Sequence, residues 1–181
     1  MDLRRTILLL ALIIFSSCEK KNPNAFSFEN DITVTVFLYE SCPIARIMCG
    51  PLRDTYRYFC DTLKHEILFR GISPNPLSTE ETIEDFVIKY DIPFDFFLDY
   101  DHINSQHGPY FQYYNPVVTP EVFIELNSEL VYRGMIDNSF LELGQWTFPT
   151  KNYIFDILTQ ILDGERITYF ETQATGCYIN P

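Results

Sequence analysis

The sequence predicts an α/β fold in which a mixed central sheet carries helices on both faces. Three observations predict it. Strand-like and helix-like segments alternate through the first half of the chain, two further strand-like runs joined by a short turn follow, and an amphipathic segment closes the order. Alternation of this kind builds a sheet that is parallel in its first half, and the hairpin adds an antiparallel edge.

The first element is residues 32–39, ITVTVFLY. It is β-branched and aromatic with almost no polar interruption, as a central strand buried on both faces would be. Residues 44–63 place Ile47, Met48, Leu52, Tyr56 and Phe59 at helical spacing, and Gly50-Pro51 is expected to kink that helix near its middle. Residues 66–72 (EILFRGI) form the next strand, and Ser73-Pro74-Asn75-Pro76 the loop after it. Ser78 and Glu81 are spaced as a capping box for a helix over residues 79–90, with Ile83, Phe86, Val87 and Tyr90 on one face. A short strand over 94–98 and a Tyr-rich, weakly helical segment over 103–114 come next. Residues 122–125 and 130–135 then read as a hairpin. The last helix covers residues 151–162, where Ile154, Ile157, Leu158, Ile161 and Leu162 share a stripe before Gly164 stops it. No internal repeat and no low-complexity tract interrupts this order.

The N-terminus carries a second message. Arg4 and Arg5 precede an apolar run over residues 7–15 and then Ser16-Ser17-Cys18, which has the layout of an export signal with a small-residue cleavage site. Nine apolar residues are too few to span a bilayer, which needs about 20. A cysteine directly after two small residues resembles the lipobox of bacterial lipoproteins, in which the chain is cut before that cysteine and acyl chains are attached to it. Phe15 stands where that pattern usually has Leu, so an ordinary secretory signal is the alternative. The expected organisation is a lipoprotein signal over 1–17, lipidation at Cys18, a polar tether over 18–29 and one domain over 30–181 that ends in a cysteine-bearing tail. Either way the mature chain is exported, and the resemblance implies a bacterial cell-envelope location, lipid-anchored on a periplasmic or outer face. The formal charge of the whole chain is −12, which argues against nucleic acid as a partner.

Four cysteines remain beyond Cys18: Cys42, Cys49, Cys60 and Cys177. In an exported chain they allow disulfides, in three full pairings that the sequence leaves open. Cys60, between Phe59 and Asp61, reads as a buried free thiol. Cys42 differs because it sits where the first strand ends and a helix begins, with Pro43 suited to the first helical position. There its sulfur would face unpaired N–H groups and the positive end of the helix dipole, and Arg46 would add a cation one turn on; both favour thiolate. A structural cysteine in a tight turn is the alternative.

Several short pieces now match a known family in order and spacing. They are Val36-Phe37-Leu38 running into Cys42-Pro43, Asp99 after a strand, Val118-Thr119-Pro120-Glu121-Val122-Phe123, Val131-Tyr132-Arg133-Gly134 with Ile136-Asp137-Asn138, and Thr175-Gly176-Cys177 near the end. The chain resembles the redoxin group of thioredoxin-fold proteins, the AhpC/TSA and thiol-disulfide interchange relatives. That resemblance implies a thioredoxin-like fold and a thiol-disulfide oxidoreductase acting on protein thiols and disulfides of the envelope. It makes Cys42 the attacking sulfur and Thr119-Pro120 a cis-proline element beside it. The residues expected to position a partner are Pro43, Arg46, Thr119 and Pro120.

Ala45 departs from the family pattern, because it stands where a CxxC enzyme has its second cysteine. A regular helix puts Cys49 roughly 10 Å from Cys42 along its axis, beyond the about 7 Å at which α-carbons can be bridged. The resemblance places a Gly-Cys at the C-terminal position, which makes Cys177 the candidate resolving thiol. A static staple or a free thiol is the alternative. No cofactor and no metal is needed for this chemistry. Three other functions stay open: a non-catalytic binding module, a copper carrier using Cys42, Cys49 and His102 or His107, and a peroxidase. The last is weakened because residues 37–41 lack the Pro and Thr that the peroxiredoxin branch carries there.

Overall fold

The computed structural model describes residues 31–179. The expected signal segment, Cys18 and the tether lie outside the described residues. In chain order the elements are β1 (Ile32–Phe37), α1 (Pro43–Tyr56), β2 (Ile67–Ser73), α2 (Glu80–Tyr90), β3 (Asp95–Leu98), β4 (Tyr100–Asp101), β5 (Gln106–His107), α3 (Pro109–Tyr114), β6 (Val118–Thr119), β7 (Glu121–Leu126), β8 (Glu129–Gly134), α4 (Tyr153–Leu162), β9 (Phe170–Glu171) and β10 (Cys177–Tyr178).

β1 is an inner strand, as its apolar run requires: it pairs parallel with β2 and antiparallel with β7, and Val34, Val36 and Phe37 are wholly buried. β3 continues the parallel side, β8 the antiparallel side, and β9 closes the far edge parallel to β8, so the order is β3-β2-β1-β7-β8-β9. The fold is therefore the mixed α/β architecture that the order of elements predicts. Alternation along β1 divides its side chains between two cores. Val34 and Val36 join Leu52 of α1, Phe86 of α2 and Ile157 and Leu158 of α4. On the opposite face Phe37 packs with Ile72, Phe123 and Tyr114 of α3. Burial of each such side chain contributes about 1.5–3 kcal/mol relative to exposure.

Local differences from the sequence reading have identifiable causes. The first helix runs through Pro51 and then widens into a π-helical turn over Arg57–Thr62. The α2 cap lies one residue later than Ser78-Glu81 suggests: Thr79 and Thr82 cap each other reciprocally. Ser78 is instead buried, its hydroxyl shared between Ser73 Oγ at 2.7 Å and Glu40 Oε2 at 2.8 Å. The segment over 103–114 is only partly helical, because β5 folds back on β4 before α3 begins. The β7–β8 turn is made by Asn127 and Ser128 at φ 53° and 66°, the left-handed pair that matches the twist of a two-residue hairpin. Asn152 caps α4 by accepting the Phe155 N–H, and Gly164, at φ 75°, follows its end. Among the described residues no helix is long and apolar enough to cross a membrane.

Candidate active corner at Cys42

Cys42 is the residue just before α1, in extended backbone at φ −75° and ψ 120°, and Pro43 opens the helix. The corner is tight: Cys42 N–H donates to Tyr39 O at 2.9 Å, and Arg46 N–H reaches back to Cys42 O at 3.1 Å. The placement at the strand-to-helix junction is the one its sequence context predicts. Its exposure is not that of an open nucleophile, since the fractional exposure of Cys42 is 0%. The Cys42 thiol donates to the carbonyl of Thr119 at 3.1 Å.

The Thr119-Pro120 peptide bond is cis. It lies between β6 and β7, and its position is held by an ion pair between buried Glu121 and half-buried Arg133. Glu121 Oε1 accepts from Arg133 Nη2 at 2.6 Å, and Glu121 Oε2 accepts the Val117 N–H at 2.7 Å. Arg133 also covers the ring of Phe123, 5.0 Å from its centroid. The segment leading to the proline is thereby tied to the inner strands β7 and β8. Glu121 and Arg133 fall within the motifs that carry the family resemblance, but nothing in their spacing marks them as partners. That pairing emerges only from the β7–β8 register, which places Arg133 opposite Phe123.

The C-terminal tail completes the corner. β10 pairs antiparallel with β6, Cys177 opposite Thr119 and Tyr178 opposite Val118. Cys177 and Cys42 are within hydrogen-bonding contact, and all four described cysteines are free thiols. Burial, and then the contact with Cys42, push the Cys177 thiol up to about 12. The structure thus brings together Cys42, Pro43, Thr119, Pro120 and Cys177. Arg46 stays on the exposed rim, where its Nε donates to Glu40 O at 2.7 Å.

The remaining thiols have other surroundings. Cys49 points back along α1, its thiol donating to Ala45 O at 3.2 Å, and burial pushes it up to about 12. Ala45 is itself fully buried. Cys60 is half-buried, with its sulfur 3.9 Å from Ile67 O, and burial raises its pKa. His102 Nε2 lies 2.9 Å from Ser78 O, and His107 stacks on Phe111 at 3.8 Å. Among the described residues no His, Cys, Asp or Glu side chains gather into a metal-binding group, so the ligands of the copper reading are not brought together. Asp99, matched in the family motif, works inside the fold: its carboxylate accepts the Phe111 N–H at 2.6 Å and the Tyr110 N–H at 3.3 Å at the start of α3, while burial raises its pKa.

No family model and no curated protein matches the chain. Solved structures do match it in fold. A hypothetical protein from Sinorhizobium meliloti superposes with a TM-score of 0.66 at 19% identity, covering 82% of this chain and 78% of that one. A thioredoxin-like superfamily protein gives 0.54 at 14% identity, over 76% and 82% of the two chains. A thiol-disulfide isomerase from Corynebacterium glutamicum gives 0.50 at 13% identity, over 75% and 82%. The fold of this chain is thioredoxin-like.

Proposed function

We propose that the protein is an exported thiol-disulfide oxidoreductase in which Cys42 exchanges with partner disulfides and Cys177 resolves the intermediate. The observation that carries this reading is the contact between Cys42 and Cys177 across the Thr119-cis-Pro120 element. In the first step the Cys42 sulfur attacks one sulfur of a partner disulfide; the partner's second sulfur leaves as a thiolate and a mixed disulfide forms. Cys177, after loss of its proton, attacks the Cys42 sulfur. The partner is released as a thiol, and the oxidising equivalents remain in a Cys42–Cys177 disulfide. A dithiol reductant then restores both thiols. A thiol held up to about 12 stays protonated at neutral pH, so Cys177 becomes a nucleophile only once the burial and the Cys42 contact that raise it are relieved.

The test is trapping. Cys177→Ser should accumulate the mixed disulfide at Cys42 when the reduced protein is mixed with a disulfide-bonded partner, read by intact mass. No increase in trapping would remove Cys177 from the resolving role. A binding module is the second reading, favoured by the complete burial of Cys42 and by Ala45 at the usual resolving position. Ala45→Cys separates the two, since a gain of disulfide reductase activity shows a competent corner that lacks only a neighbouring thiol. For location, the proposal is an acylated Cys18 as mature N-terminus in a bacterial envelope. Membrane-extracted protein should have the mass of residues 18–181 plus lipid, and unlipidated soluble protein from native cells would overturn it.

A further inference from the structure

The segment that covers Cys42 is built like a bound strand. Cys177 and Tyr178 pair with Thr119 and Val118, and the Ile179 N–H donates to Val117 O at 3.1 Å. Gly176 is pressed against the Thr119–Pro120 peptide so closely that an added Cβ would collide with the Thr119 carbonyl. Pro120 has no N–H to offer, so a strand arriving at this edge finds its pairing groups on residues 117–119.

We propose that residues 175–179 are a built-in pseudo-substrate. They occupy the strand-docking edge before cis-Pro120, and the partner that displaces them is an extended polypeptide presenting a cysteine directly preceded by glycine. The register supplies the specificity. A cysteine opposite Thr119 is delivered onto Cys42, as Cys177 is. The residue before it meets backbone that cannot yield, which admits glycine and rejects any side chain. The residue after it is unrestricted, since Tyr178 in that place is 78% exposed. The inference rests on the oxidoreductase reading only for the exchange that follows docking: the Cys42 sulfur forms a bond to the partner cysteine as that cysteine's own S–S bond breaks, and the departing sulfur leaves as a thiolate.

Two full-length variants and two non-reactive peptides test it. Gly176→Val puts a side chain into the Thr119 carbonyl, and Ile179→Pro removes the donor to Val117 without touching the core. In the reduced protein, alkylation of Cys42 by iodoacetamide should rise about tenfold in Gly176→Val and about threefold in Ile179→Pro, as expected for lost strand pairing. Circular dichroism should show both variants folded. The peptide Ala-Thr-Gly-Ser-Tyr-Ile should then slow Cys42 alkylation in Gly176→Val, and Ala-Thr-Val-Ser-Tyr-Ile should not. Unchanged alkylation in both folded variants, or equal protection by the two peptides, overturns the proposal. Protection by the glycine peptide alone, with no trapping in Cys177→Ser, would sustain the docking edge and remove the oxidoreductase reading. Trapping without selective protection would do the reverse.

Discussion

Glu121 shows how much of the corner depends on single side chains outside it. Its carboxylate is almost wholly buried, yet both oxygens are used, one by Arg133 and the other by the Val117 N–H. Glu121→Gln keeps the shape but removes the charge and leaves an amide where an acceptor is needed. It should cost roughly 2 kcal/mol in urea denaturation, within the range for hydrogen bonds to charged groups. Faster hydrogen exchange at Val117 should accompany that loss; an unchanged Val117 would mean that the carboxylate does not hold β6. Cys49 gives a second prediction at this scale. Buried, and held up to about 12, it should resist iodoacetamide at pH 8 in the native state and label only on unfolding. These roles were unequally visible in the sequence. Cys42 could be read because a cysteine followed by proline after a strand is a local pattern. Glu121 and Arg133 could not, because they become neighbours only through strand register.

At the scale of elements, α3 is short and is held to the sheet by the phenols of Tyr113 and Tyr114, both of which donate to Glu125 of β7. Tyr114 OH donates to Glu125 Oε2 at 2.7 Å and accepts from Arg70 Nη2 at 2.8 Å and from Thr35 Oγ1 at 3.2 Å. Tyr114→Phe leaves those groups without a shared partner in a half-dry layer, so about 1–3 kcal/mol of stability should be lost, measured by thermal or urea melts. Retention of wild-type stability would show that water replaces the hydroxyl. The helix-to-strand order itself was legible because β1, α1 and α4 are long and their apolar residues recur with a clear period. The tail strand β10 and its partner β6 were not legible. Each has two residues, too few for periodicity to register, and their pairing depends on the course of a chain returning from the far edge of the sheet. The α2 cap lies one residue beyond Ser78 for a different reason: Ser78 and Thr79 are both good capping residues, and the Ser78 hydroxyl is engaged by Ser73 and Glu40 instead.

For the whole molecule, ionisation and folding are linked most strongly on the alkaline side. Burial raises Cys49 and Tyr114 to about 12, and burial with the Cys42 contact does the same for Cys177. Each is neutral when protonated, and each binds its proton more tightly folded than unfolded. Their contribution is therefore complete below the unfolded values, about 8.5 for Cys and 10 for Tyr, and is lost as pH rises towards 12. The reduced protein should lose denaturation free energy steadily over that window, and oxidation of Cys42 with Cys177 should remove the Cys177 share of the slope. A flat profile from pH 8 to 11 would contradict the burial of these groups. The far edge of the sheet has a further consequence for turnover. Thr172 is fastened there, its N–H donating to Arg133 O at 3.1 Å and its Oγ1 bonded to both Met135 N and Tyr132 OH. Cys177 is five residues further along, so even a fully released tail cannot carry its α-carbon more than about 18 Å from that fastening. Confinement to so small a volume is equivalent to a local thiol concentration in the millimolar range or above. Resolution of a Cys42 adduct should then be first order, independent of protein concentration, and outpaced by free thiols in solution only when these are themselves millimolar.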